Sequence, residues 1–219
     1  MSSLSDRAKL HARLQAGIAE LGLAPGADRT ECLLDYVELL ARWNAVYNLT
    51  AVRDPADMIE RHLLDSLAVA PFVRGDSLAD LGSGAGLPGI PLAILEPHRQ
   101  HVLIDSNGKK TRFLREAVRT LGLANVRVEQ SRVEAARGHY ACITARAFAT
   151  LGEMLTLGGH LLGPNGVWLA LKGLLTKEEI LSLPAGFVVA ETKPLKVPGL
   201  GAARHVVIIR RKQTQEHAA

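Results

Sequence analysis

Aromatic residues are scarce in this chain of 219 residues: four Phe, three Tyr and two Trp make up 4% of it. That argues against a single-stranded nucleic-acid surface built mainly on stacked rings. Cysteine is scarcer still, with Cys32 and Cys142 far apart and no CxxC pair. Neither a disulfide framework nor a zinc site is expected, and the two thiols suit a reducing cytosol. No uncharged apolar run reaches the roughly 18 residues that a membrane span requires. The start, Met1-Ser2-Ser3-Leu4-Ser5-Asp6-Arg7, has neither a basic opening nor an apolar stretch, so no signal peptide is read and a cytoplasmic location is expected. Low-complexity tracts are missing too, which excludes a largely disordered chain.

What is present fits an ordinary globular protein, with 47% hydrophobic and 22% charged residues. The length suits one large domain or one domain with a small appendage. Such a chain can bury roughly 70% of its unfolded surface, so no stabilising metal is needed and none is expected. The net charge is +4, but it is unevenly spread. Residues 1–75 carry 8 Lys+Arg against 10 Asp+Glu, and residues 76–219 carry 18 against 12. A basic second part points to a polyanionic partner; a solubilising surface is the bland alternative.

Hydrophobic spacing divides the chain at the same place. Residues 4–22 are amphipathic and helix-prone, and Ala24-Pro25-Gly26-Ala27 breaks them. A second helix is predicted over 28–47, with Tyr36, Leu40, Trp43 and Tyr47 on one stripe. A loop leads to Pro55, which opens a third helix that buries Ile59, Leu63, Leu67 and Ala70 and ends by Gly75. Residues 1–75 therefore read as a helical extension. From 76 to 219 short apolar runs alternate with helical periods. Strands are predicted near 78–81, 101–105, 126–130, 140–145, 166–171, 186–192 and 205–210, and helices near 87–96, 108–122, 131–137, 150–162 and 176–183. That alternation is the signature of an α/β domain with a mostly parallel seven-stranded sheet covered on both faces. Only a Pro- and Gly-bearing loop joins the last two strands, so they should form an antiparallel final hairpin.

The first strand, Leu78-Ala79-Asp80-Leu81, runs into Gly82-Ser83-Gly84-Ala85-Gly86-Leu87-Pro88-Gly89. Glycines at alternate positions let backbone approach a ligand without Cβ interference. In an open parallel sheet this first strand-to-helix turn is where ligands bind. Two cofactors compete. Gly84 to Gly89 fits GxGxxG, and Asp105 lies 21 residues beyond Gly84 at the end of the second strand, which is also the spacing of a dinucleotide fingerprint. Asp80 before the glycines would repel a pyrophosphate, yet could accept bonds from a ligand cation. An acid in front of GxGxG and another to hold ribose hydroxyls suit S-adenosylmethionine (SAM) better than NAD. The remaining reading is a tight turn without a ligand, in which Asp80 caps the glycines.

The turn lies within one of six blocks: RWNAVYNLTAVRDPADMIERHLLDSL at 42–67, ADLGSGAGLPGIPLAILEP at 79–97, which contains it, LIDSNGKKTRFLREA at 103–117, QSRVEAAR at 130–137, ITARAFATL at 143–151 and ALKG at 170–173. In order and spacing they resemble the RsmG (GidB) family of bacterial SAM-dependent methyltransferases. The resemblance implies a class I, Rossmann-like methyltransferase domain over 76–219 and methylation at N7 of a guanine in the 530 loop of 16S rRNA, on the RNA or the small ribosomal subunit. It also implies a cofactor site. Gly82, Gly84 and Leu87 would line it, Asp105 would hold the ribose, Val133 and Glu134 would flank the adenine, and Arg146 would close it. The chain departs from the family where an Asp usually enters the fourth strand; here the residues are Tyr140-Ala141-Cys142.

On the substrate side, the helix at 108–122 places Lys109, Arg112, Arg115 and Arg119 within roughly 120° of one another, opposite Phe113, Leu114, Ala117, Val118 and Leu121. Phosphates are the plausible partner of that cationic side, a plain solvated face the alternative. Lys172, Lys193, Lys196, Arg204, Arg210, Arg211 and Lys212 form a second candidate patch, in which Lys172 and Arg204 are placed to flank methyl transfer. His62 and Asp65 read as a satisfied structural pair rather than an acid-base pair. Cys142 reads as core. Guanine N7 has an in-plane lone pair and loses no proton before attack, so no catalytic base is named. A NAD-linked oxidoreductase and a non-catalytic RNA-binding module remain the competing readings.

Overall fold

The computed structural model describes residues 4–146 and 150–212. Residues 1–3 of the opening segment, and 147–149 of the block at 143–151, lie outside the described residues.

Two long helices come first, α1 (Leu4–Glu20) and α2 (Ala27–Tyr47). The third predicted helix is not uniform. It begins as α3 (Pro55–Met58), capped by Asp54, whose carboxylate accepts from Ala56 N–H at 2.8 Å. It then widens to a π-helical turn over Ile59–Leu64, where Asp65 N–H reaches back to Glu60 O, and resumes as α4 (Asp65–Leu67). The predicted stripe does not register such a widening, because Ile59, Leu63 and Leu67 recur at every fourth residue, a spacing that α and π turns both accommodate.

The strands are β1 (Ser77–Leu81), β2 (Gln100–Asp105), β3 (Val126–Gln130), β4 (Tyr140–Arg146), β5 (Leu162–Lys172), β6 (Phe187–Pro194) and β7 (His205–Arg211). They form one sheet in the order β3-β2-β1-β4-β5-β7-β6. β1 through β5 pair in parallel, while β7 runs antiparallel to both β5 and β6. This is the class I, Rossmann-like methyltransferase architecture, with the antiparallel last hairpin read from the sequence. β4 starts at Tyr140 despite the missing Asp: Ala141 N–H donates to Ser77 Oγ at 3.1 Å, where the register shifts.

Between strands lie α5 (Gly89–Leu95), α6 (Gly108–Thr120), α7 (Leu151–Gly158) and α8 (Lys177–Leu181). The helix expected over 131–137 is only a 3₁₀ turn, Val133–Ala135. Arg132 and Ala136 on either side are extended and Gly138 has φ 128°, so the backbone leaves helical space after three residues. The helix expected to reach 162 ends at Gly158, followed by a 3₁₀ turn, and β5 begins there.

β1 shows why both faces must be covered: Leu78 to Leu81 are all buried. Ala79 and Leu81 point into a core with Ile104, Ile143, Trp168 and Met154 under α7. The other side is closed by the N-terminal helices. Leu14, Leu33, Tyr36, Leu40, Met58 and Leu63 pack with Leu87, Ile90, Leu103, Phe113 and Leu114 in one continuous cluster. The N-terminal helices thus cover the outer faces of α5 and α6.

Candidate active site

The strand order reverses between β1 and β4, and in open α/β sheets that reversal opens a crevice at the carboxyl ends. The glycine turn sits there. Gly82, Gly84 and Gly86 have φ of 66°, 60° and 88°, a region that side-chain-bearing residues rarely enter. Both Gly82 N–H and Ser83 N–H donate to Ile104 O, at 2.9 and 3.1 Å, so β2 holds the turn from one side. Tyr36 of α2 holds it from the other: its buried hydroxyl donates to Ala85 O at 2.7 Å.

Asp80 lies beneath this turn, fully buried. Oδ1 accepts from Thr144 Oγ at 3.0 Å and Oδ2 from Gly89 N–H at 3.2 Å. Burial pushes its pKa up to about 6, with those hydrogen bonds opposing the shift. The sequence reading aimed this carboxylate at a ligand cation; the structure turns it inward, as the cap of the turn. Asp105 is similarly engaged. Oδ2 accepts from Gly84 N–H at 2.9 Å and Oδ1 from Asn107 N–H at 2.8 Å. Each of its oxygens keeps a second lone pair.

In front of the turn is a cavity of about 590 Å³, lined by Gly82, Gly84 and Leu87 on one side and by Arg146, Lys172 and Arg204 on the other. The structure therefore brings six of the expected site residues together. Val133 is buried in the core beside β1, and Glu134 is an exposed side chain 3.8 Å from Arg132; neither lines this cavity. Lys109 and Arg112 line a separate open groove of about 1010 Å³ along α6, with Arg115, Arg119 and Trp43. Arg119 is paired with Glu116 at 2.8 Å.

The second cationic patch divides. Lys172 is held by Glu179 at 2.7 Å and Lys193 pairs with Glu191. Arg211 fastens the sheet edge by donating to Leu162 O and Gly159 O. Cys142 is fully buried, and its thiol is pushed up to about 12 by that burial.

His62 and Asp65 both line the cavity but satisfy other partners than each other. His62 Nδ1 faces the Arg61 carbonyl at 2.8 Å, so it carries the proton there, and Nε2 accepts from Thr50 Oγ at 2.8 Å. Burial lowers its pKa to about 4, leaving the ring neutral. Asp65 accepts from Arg146 and from Arg204 instead. The loop before α3 is drawn in as well: Asn44 accepts from Thr50 N–H and donates to Val52 O, which sets Thr50 against His62. Loop composition at 48–55 gave no hint of this. Among the described residues no group of three or more His, Cys, Asp or Glu could hold a metal.

The cavity suits a nucleoside-sized ligand. Its volume falls in the range of small-molecule pockets. A Cβ built on Gly84 would meet nothing closer than Gly82 O at 3.8 Å, so the turn presents bare backbone to open space. Polar donors face it from the opposite wall.

A family model described as GidB, rRNA small subunit methyltransferase G, matches residues 29–207. The ribosomal RNA small subunit methyltransferase G of Stenotrophomonas maltophilia (strain R551-3) is 57% identical over 204 residues, covering 92% of this chain and 95% of that one. Among solved structures, TrmN from Thermus thermophilus aligns with a TM-score of 0.55 and 20% identity over 70% of this chain and 53% of that one. M. jannaschii TYW2 in complex with AdoMet aligns with a TM-score of 0.52 and 16% identity over 68% and 75%. At such identities these two structures speak for the fold alone.

Proposed function

This chain belongs to the GidB family, rRNA small subunit methyltransferase G, and from that premise we propose that it transfers a methyl group from SAM to N7 of a guanine in the 530 loop of 16S rRNA. The supporting observation is the cavity at the β1–β4 reversal, with bare glycine backbone on one wall and Arg146, Lys172 and Arg204 on the other. Residues 76–219 form the methyltransferase domain and residues 1–75 a helical extension that helps to line its cavity, and the enzyme works in the cytoplasm. No helix of the described residues is long and apolar enough to cross a membrane.

Gly82, Gly84 and Leu87 would hold SAM, with Asp105 toward its ribose, Val133 and Glu134 toward its adenine, and Arg146 closing the site. A dinucleotide is a poorer fit, because Gly89 N–H at the start of α5, which would meet a pyrophosphate, is already given to Asp80. When bound, SAM supplies an electrophilic methyl on a sulfonium. The protein's share is placement and exclusion of water. N7 needs no proton removed, and His62, neutral with Nδ1–H tied to a carbonyl, is not called on as a base. Lys172 and Arg204 would bind the nucleotide at the cavity, and Lys109 and Arg112 the phosphates of flanking RNA.

Purified protein, SAM and small-subunit RNA should yield 7-methylguanosine; methylation confined to a ribose oxygen would reject the assignment. Gly82→Asp should abolish SAM binding in calorimetry while circular dichroism still reports a folded chain, and unchanged affinity would remove the glycine turn from the site.

A further inference from the structure

Asp65 stands where the π-helical turn passes into α4, with its side chain only 5% exposed. Oδ2 accepts from Arg146 Nη1 at 3.2 Å and Oδ1 from Arg204 Nε at 2.9 Å. The two arginines come from distant parts of the fold: Arg146 ends β4, and Arg204 closes the loop before β7. One carboxylate from the helical extension thus ties together two guanidiniums that belong to the sheet.

A purely structural role needs less than this. One arginine would neutralise Asp65; the second leaves the cluster with a net positive charge on a cavity wall. Both guanidiniums also stay accessible, at 23% and 30% exposure. Each has five N–H donors. Arg146 gives one to Asp65, and Arg204 gives Nε to Asp65 and Nη1 to Ala203 O. Donors therefore remain for whatever fills the cavity. Without the carboxylate the two cations would repel each other and lose their fixed spacing. Widened π turns recur at functional sites because they re-aim side chains, and this one brings Arg61, His62 and Asp65 to the same cavity.

We infer that Asp65 is a positioning residue that sets methyl donor and acceptor in register. One oxygen fixes the arginine on the cofactor side, Arg146, and the other fixes the arginine on the nucleotide side, Arg204. The inference rests on the proposed function for what the two arginines touch.

The test is a pair of mutant cycles. Asp65→Asn should raise the SAM dissociation constant about fivefold in calorimetry and lower kcat/KM on small-subunit RNA by roughly 50-fold or more, mostly through kcat, as expected when one partner of a buried charged pair is neutralised. The same change should alter SAM affinity less than about twofold in an Arg146→Ala background, and kcat/KM less than about threefold in an Arg204→Ala background, because residues acting as a unit are not additive. Asp65→Glu keeps the charge and shifts both guanidiniums by one methylene, so it should fold and still lose about tenfold or more in kcat/KM. A merely structural Asp65 would change thermal stability and leave turnover by folded protein intact. Wild-type values in Asp65→Asn or Asp65→Glu, or full multiplicative losses in the double variants, overturn the inference. If the wild type binds SAM but forms no 7-methylguanosine, the functional reading falls instead, and the SAM-affinity cycle with Arg146 still decides what Asp65 does.

Discussion

Gly89→Ala adds one methyl group at the point where the glycine turn enters α5. A Cβ built there would lie 2.3 Å from Leu103 Cδ2, 2.8 Å from Asp80 Oδ2 and 3.1 Å from Asp80 Cβ. Neither neighbour can retreat. Leu103 is fully buried among Ile90, Phe113 and Leu114. Asp80 is fully buried and tethered through its other oxygen to Thr144. The helix start must recoil, and the bond from Gly89 N–H to the carboxylate is the contact it breaks.

Overpacking by a methyl group costs about 1–3 kcal/mol, and losing a hydrogen bond to a charged group about 1.5–3 kcal/mol. The stiffer unfolded chain of the alanine variant returns about 0.4–1 kcal/mol. A net loss of about 2–4 kcal/mol follows, which for a chain of this size is a fall of about 5–15 °C in the unfolding midpoint. Differential scanning calorimetry reads it directly. Gly201→Ala is the control, because its Cβ would meet nothing within 4 Å. SAM affinity should weaken alongside in Gly89→Ala, since the recoil carries the turn with it. A midpoint within about 2 °C of the wild type, with Gly201→Ala equally unchanged, would refute the claim that Asp80 fixes the turn through Gly89.

Acid should destabilise the protein. Burial lowers His62 to about 4 and His101 to about 3, so between the ordinary value of 6.5 and those values the unfolded chain binds protons that the native state refuses. Asp80, raised from 3.8 to about 6, works the other way over its own window, but one group does not offset two. Stability should be nearly flat above pH 6.5 and drop by about 2 kcal/mol from pH 7 to pH 5, read as a lower urea midpoint; a midpoint that rises on acidification would contradict the buried neutral histidines. On α6, Arg112→Glu and Arg115→Glu together should weaken small-subunit RNA binding and flatten its salt dependence by about two phosphate contacts, leaving SAM affinity unchanged. An unaltered salt slope would mark that face as merely solvated.

The strands were legible because each is a short apolar run between turn residues, and β1 to β7 follow the predicted ranges closely. The longest deviation, β5, begins early because Gly163, Pro164 and Gly166 disguise its first half. The cavity was legible only on its glycine side. Asp80 carries the same local signature whether it faces a ligand or caps a turn. What decides is Thr144, 64 residues away on a strand that the sheet order places beside β1. The partners of Asp65 lie 81 and 139 residues away, beyond any periodic signal, and proximity in sequence favoured His62.

Those long-range ties bear on whether the helical extension can be treated as an accessory. Tyr36 from α2 donates to the carbonyl of Ala85 in the middle of the glycine turn. Leu33, Leu40 and Met58 share a core with Leu87 and Ile90, on either side of the step from turn to helix. Asp65 reaches across to both arginines of the opposite wall. Removing residues 1–75 would expose the apolar faces of α5 and α6 and leave two cations unpaired, a combined loss larger than the margin by which domains are stable. The minimal sheet is therefore not a working enzyme that gained a decoration. More than a third of the residues that line its cavity come from the loop and helices that precede the first strand, and substrate-side variation should be sought there as well as in the loops at the carboxyl ends of the strands.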